Sequence, residues 1–257
     1  DEIQLAIEKF GLPDDVKIYA CYEAGRDGFW IHRWLLAQDI TNYVIDSSSI
    51  EQNRKKKKAK TDRLDANKMA KLLIRHIGGN EFAFSVVEVP CETAEDNRRL
   101  YRERERMIKE RGAHACRVSS LLILHNIRDI PLGKHFNSAV DKALCWDNKP
   151  LPPDLLAELK RENKRFELVD EQIKQLEKQQ RDREREATQG PLLKIRQLMQ
   201  LKGIGWQSAW LLVMELFGWR VFKNRKKLAG FVGLTGTPYD SGDSTKEQGI
   251  SKSGSRR

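Results

Sequence analysis

The 257-residue chain has little of what marks a secreted, zinc-stabilised or membrane-embedded protein. Its four cysteines (Cys21, Cys91, Cys116, Cys145) are far apart, form no CxxC pair and meet no histidine at zinc-ligand spacing. That excludes a zinc finger and a disulfide framework and points to a reducing cytoplasm. The histidines, His32, His76, His114, His125 and His135, show neither triad nor ligand spacing. The longest apolar run, Trp210 to Trp219, contains Glu215 and is about half the roughly 20 residues a membrane helix needs. No signal peptide or initiator Met opens the chain, and it closes inside the basic Ser255-Arg256-Arg257, so both ends read as cut. Apolar residues are also sparse: 39% hydrophobic against 33% charged is lean for a compact globule and predicts an elongated molecule with long solvated helices. At about 150 residues per domain the length favours two domains.

Positive charge is what the chain has in excess. The net charge is +10 and the isoelectric point is near 9.4. The surplus is clustered, with Arg54, Lys55, Lys56, Lys57, Lys58 and Lys60 in one run and Lys246, Lys252, Arg256 and Arg257 near the end. Clustering of this kind favours a polyanion, DNA or RNA. A membrane-surface helix would need a stripe of large apolar residues, and the 54–60 run has none.

That run leads directly into Thr61-Asp62-Arg63-Leu64-Asp65-Ala66. Asp62 and Asp65 open an amphipathic segment (Leu64, Met69, Leu72, Leu73), so on a helix both carboxylates occupy neighbouring positions of one face. Such a pair can hold a divalent cation beside bound phosphate; the plainer reading is capping of the helix N-terminus. Upstream, residues 16–22 read as a buried strand ending near Glu23, residues 28–37 as a helix and residues 42–46 as a second strand, an α/β pattern with parallel connections. Ligands in such sheets bind at the carboxyl ends of the strands, where Glu23 falls.

Pro90 closes this first part. Residues 94–126 and 154–187 read as two long charged helices. In the second, Leu159, Phe166 and Ile173 recur every seven residues, with Val169 and Leu176 in the alternate seam. That spacing predicts an antiparallel coiled-coil arm, and its narrow seam could equally receive a second subunit as a dimerisation surface. Leu201-Lys-Gly203-Ile-Gly205-Trp-Gln-Ser-Ala209 has the spacing of a helix-hairpin-helix, in which two glycines permit a tight turn and offer bare N–H groups to a phosphate; a capped helix followed by a packed one gives a similar string. The tail from Thr235 to Arg257 reads as a loop containing Tyr239-Asp240-Ser241-Gly242.

Tyr22-Glu23-Ala24-Gly25, the Lys60 to Ala66 string, the Glu- and Arg-rich helices, Leu201 to Gly205, Ser241-Gly242 and Lys252-Ser253-Gly254 follow one another in the order seen in the insertion sequence 110 family of bacterial transposases, which the chain resembles over nearly its whole length. The resemblance implies a RuvC-like (RNase H-type) DEDD domain over 1–90, a coiled-coil linker and dimerisation arm over 91–189, and a mostly α-helical transposase domain over 190–257. It also implies an RNA-guided DNA recombinase with a bridge RNA, at work in the bacterial nucleoid as a dimer or tetramer. By motif, Glu23, Asp62 and Asp65 would be three of four metal-binding carboxylates holding two Mg²⁺, and Ser241 the nucleophile. The first Asp of the tetrad would lie upstream of residue 1. The arm would bring Ser241 to the carboxylates across subunits. Two other readings stand beside this one: a RuvC-like nuclease that uses water, and a non-catalytic helix-hairpin-helix protein whose acidic residues only cap helices.

Overall fold

The computed structural model describes residues 2–13, 15–25, 28–50, 62–241, 244–250 and 254, with backbone alone for 237–241, 244–246 and 248. The chain divides into two compact units, Asp1–Val89 and Pro90–Arg257. It is mostly helical, with a small parallel sheet in the first unit.

In the first unit, α1 (Glu2–Phe10) precedes β1 (Tyr19–Glu23), α2 (Trp30–Ala37), β2 (Thr41–Ile45) and α3 (Asp62–Ile77). β1 and β2 pair in parallel from Tyr19↔Thr41 to Glu23↔Ile45. A parallel pair needs a crossover, and α2 supplies it. Asn42, Val44 and Ile45 of β2 are buried, the pattern of a strand covered on both faces. On its other side β2 meets an antiparallel return: Val87 N donates to Val44 O at 2.8 Å and Asp46 N to Ser85 O at 2.9 Å. α3 crosses this sheet. Its Leu73 joins Ile45 and Phe84 in the core, with Cys21, Tyr43, Met69 and Leu72 against them. His76 is absorbed there, stacked on Phe84 at 4.5 Å and edge-on to Tyr43 at 5.0 Å.

The second unit is built on two long helices, α5 (Arg99–Ile123), which follows the short α4 (Glu92–Asn97), and α7 (Pro153–Glu186). Their ion pairs fix an antiparallel direction, since Arg104 meets Glu177, Arg111 meets Asp170 and Arg117 meets Glu162. Leu159, Val169 and Ile173 are buried along the expected seam, while Phe166 and Leu176 are half-buried. The link between the helices is more than a turn. Ile127, Phe136, Val140 (the last two on α6, Phe136–Asp141), Cys145 and Leu151 fold onto Val118, Leu122 and Leu159 as a separate core. Asn163, 1% exposed, clamps this link by accepting from Gly133 N at 2.8 Å and donating to Gly133 O at 3.2 Å.

At the other end, α8 (Leu193–Met199), α9 (Trp206–Leu212) and a π-helical stretch Val213–Phe217 follow, then α10 (Arg225–Phe231), β3 (Gly236–Ser241) and β4 (Ser244–Ile250). Ile195, Ala209, Trp210, Val213 and Met214 share one core with Leu100 of α5, and Leu176 of α7 packs against it. The tail expected as a loop contains an antiparallel hairpin, with Tyr239↔Lys246 and Ser241↔Ser244 in register. The physical reason lies in composition. Thr and Tyr residues flank Gly242-Asp243, a hairpin signal that outweighs the glycine and serine content around it.

Candidate functional site

Glu23 ends β1, exposed at the carboxyl edge of the parallel pair. Strand pairing runs one residue past it, since Ala24 N donates to Ile45 O at 2.8 Å. The Tyr22 hydroxyl donates to Gly28 O at 3.0 Å and ties the following segment back to the strand. Asp62 and Asp65 lie in the first turn of α3, Asp62 exposed and Asp65 half-buried. One turn beyond Asp65, the Met69 carbonyl accepts a weak bond from the Cys21 thiol at 3.8 Å. The three carboxylates therefore belong to two elements that pack side by side.

Oxygen donors of this kind suit a hard divalent cation. Among the described residues, however, no three Asp, Glu, His or Cys side chains gather closely enough to hold one ion. The donor type fits a metal and the spacing does not assemble its site. Asp46 is a further carboxylate at the carboxyl end of β2, which the sequence reading passed over. The parallel register places it next to the Glu23 edge, but its side chain accepts from Ser48 N at 2.9 Å and Ser48 Oγ at 2.8 Å as the cap of the turn Ser47–Ser49.

Ser241 is the last residue of β3, in the second unit. Of the expected phosphate contacts, Arg54, Lys55, Lys56, Lys57, Lys58, Lys60, Lys252, Arg256 and Arg257 lie outside the described residues. Lys246 is on β4, paired with Tyr239. Gly203 and Gly205 occupy the turn from α8 to α9. Gly203 has φ +91° with open space around a Cβ position, so its backbone requires glycine. Gly205 has φ −80°, ψ 170° as the N-cap of α9, a conformation open to any residue. Only the first of the two glycines is needed for the turn.

Behind this turn Glu215 forms a nearly buried carboxylate site. Arg102 donates to it from Nε at 2.7 Å and from a terminal nitrogen at 2.8 Å, and Arg98 lies 3.8 Å away. The Glu215 hydrogen bond raises the Arg102 pKa further, whereas burial lowers that of Arg98. These groups fasten the segment after α9 to α5.

Comparison with known proteins decides the family. Residues 195–257 match the Transposase IS116/IS110/IS902 family, and residues 2–127 match the DEDD transposase model of IS110. The chain belongs to the IS110 family of transposases. Protein y4rJ of Sinorhizobium fredii, named as a transposase, is 35% identical over 246 residues, which cover 91% of this chain and 61% of that protein. The transposase for insertion sequence element IS1533 of Leptospira borgpetersenii is 23% identical over 81% of this chain and 58% of its own length. This chain thus spans about three fifths of the length of these curated relatives. Among the described residues no helix is long and apolar enough to cross a membrane.

Proposed function

We propose that this IS110-family chain acts in DNA transposition, as an RNA-guided recombinase that cuts and rejoins DNA strands. The observation that carries the reading is the coincidence of two family matches, one across Glu23, Asp62 and Asp65 and one across Ser241. DEDD transposases depend on metal ions in general. Glu23, Asp62 and Asp65 are the residues assigned to hold Mg²⁺, two ions in the complete site, where the metal would offset charge on the phosphate. The Ser241 hydroxyl oxygen is assigned to bond to a DNA phosphorus while the bond from that phosphorus to a deoxyribose oxygen breaks. The hydroxyl proton ends on the departing sugar oxygen. A free hydroxyl from a second strand reverses the step, so the number of phosphoester bonds is conserved and no external energy source is needed.

The carboxylates and the serine belong to different units, and we assign their meeting to a dimer or tetramer joined through the long helices. The seam residues Leu159, Val169 and Ile173 are already covered within one chain, so a second subunit has to use other faces of α5 and α7. The basic 54–60 run and the Gly203–Gly205 turn are assigned to DNA and guide-RNA backbones.

Strand exchange by the full-length transposase on donor and target DNA with its guide RNA tests the carboxylate assignment. EDTA, Glu23→Ala, Asp62→Ala and Asp65→Ala are each expected to abolish exchange while leaving binding in place. Undiminished exchange in EDTA would overturn the metal assignment.

A further inference from the structure

Between Leu216 and Tyr239 the chain carries five cations, Arg220, Lys223, Arg225, Lys226 and Lys227, and no acidic residue. Lys223, Arg225, Lys226 and Lys227 are exposed around the start of α10. None of these four forms an ion pair among the described residues. Some other cations of the helices in this unit are paired, Arg99 with Asp96, Lys109 with Glu105, Lys160 with Asp141 and Lys174 with Asp170. With no acidic residue between Leu216 and Tyr239 to offset them, the four cations are a local surplus of charge.

The surplus sits on a fixed support. The Asn224 side chain accepts from Lys227 N at 3.0 Å and sets the first turn of α10. The Phe222 and Phe231 rings bracket the basic segment, with centroids 5.8 Å apart. The Arg220 guanidinium stacks at 4.0 Å on Trp219 and 4.4 Å on Phe231. Trp219 is itself held by its Nε1, which donates to Met214 O at 3.1 Å, and by the Arg98 guanidinium at 5.0 Å. Through Arg98 the stack reaches Glu215 and α5. A ligand meeting these side chains finds their backbone already ordered, which lowers the entropic cost of binding.

We infer that Lys223, Arg225, Lys226 and Lys227 form a phosphate-backbone contact surface for nucleic acid, separate from the 54–60 run and the Gly203–Gly205 turn. Four mobile ammonium and guanidinium heads within five residues suit successive phosphates, and they read charge without reading sequence. DNA and RNA present the same chemistry, so the test carries one arm for each. The surface needs no strand chemistry, so its failure and the failure of the recombinase reading are separately visible.

The experiment measures anisotropy of a labelled mixed-sequence DNA duplex and of a labelled single-stranded RNA with the full-length protein across a KCl series. The combined variant Lys223→Gln, Arg225→Gln, Lys226→Gln, Lys227→Gln is compared with the natural chain. If each cation neutralises one phosphate, the slope of log K against log salt falls by roughly 3 to 4 on duplex DNA and by about 3 on a single strand. A change on the duplex alone assigns the surface to DNA, a change on the RNA alone assigns it to RNA, and a change on both assigns a shared contact. Unchanged slopes on both overturn the inference. So does an equal loss of slope in the charge-keeping variant Lys223→Arg, Lys226→Arg, Lys227→Arg. Should the combined variant fail to fold, Lys226→Gln alone is expected to lower the slope by about 1 on the matching ligand, and no change there overturns the inference equally.

Discussion

Glu215 interrupts the most apolar run of the chain, and its position explains why a carboxylate is tolerated there. Arg102 holds it at both oxygens, and Arg98 closes the site at 6% exposure. Removing one member of a buried ion pair leaves the other charge without compensation, at a cost of about 3 to 5 kcal/mol. Glu215→Gln is accordingly expected to lower unfolding free energy by an amount near the lower end of that range, because Arg102 is partly exposed and can turn to water. Denaturant titration checks this, and a loss indistinguishable from zero would mean that Arg98 finds another partner. The sequence marked Glu215 only as a break in a hydrophobic stretch. Its partners lie more than a hundred residues upstream, a separation that no local pattern encodes.

At the scale of the element, the pairing of α5 with α7 rests on a similar device nearer the seam. Glu162 is buried and accepts from His114 at 2.6 Å, Arg117 at 2.7 Å and Arg165 at 2.5 Å. Burial pushes its carboxyl up, yet the hydrogen bonds from His114, Arg117 and Arg165, with the Arg117 charge, outweigh burial and hold it below its ordinary 4.5. Asp170, bonded to Lys174 and Arg111 against the opposing effect of burial, is likewise held down. A carboxyl depressed in the folded state adds stability above its ordinary value and loses it as pH falls through the folded value. Stability of the second unit is therefore expected to decline below about pH 4.5, and Glu162→Gln to flatten part of that decline. Helix content followed by circular dichroism during acid titration measures it; an identical acid profile in the variant would remove Glu162 from the cause.

The heptad at Leu159, Phe166 and Ile173 was legible because helical periodicity is local, and so were β1, β2 and the Asp62 start of α3. The separate core between α5 and α7 was not, because Phe136, Val140 and Leu151 gain their meaning from Val118 and Leu122 across the link. The C-terminal hairpin was missed for a different reason. The glycine and serine content of the tail favours a loop, while the Thr and Tyr residues on either side of Gly242-Asp243 favour strands.

For the whole molecule, the boundary near Pro90 follows from a local break in the chain. Residues 190–257 are bound into the second unit through Leu100, Ile195 and Trp210, which a reading segment by segment does not reveal. Of the functional reading, the family was legible in the sequence. Residue types and order at Glu23, Asp62, Asp65 and Ser241 lead to the IS110 family, and the family matches bear that membership out. The proposed meeting of the carboxylates with Ser241 would depend on how subunits and nucleic acid assemble, which local sequence patterns do not encode. The basic surface at Lys223–Lys227 was available in the sequence as a run of cations without acids, and it gains significance from the aromatic stack that fixes it.

The most direct test of the recombinase reading is denaturing electrophoresis of the full-length transposase after incubation with guide RNA and labelled DNA. A covalent protein–DNA adduct is expected with the natural chain and none with Ser241→Ala, although that variant still binds DNA. An adduct that persists in Ser241→Ala, or cleaved DNA released by the natural chain with no adduct at any time, would contradict the account.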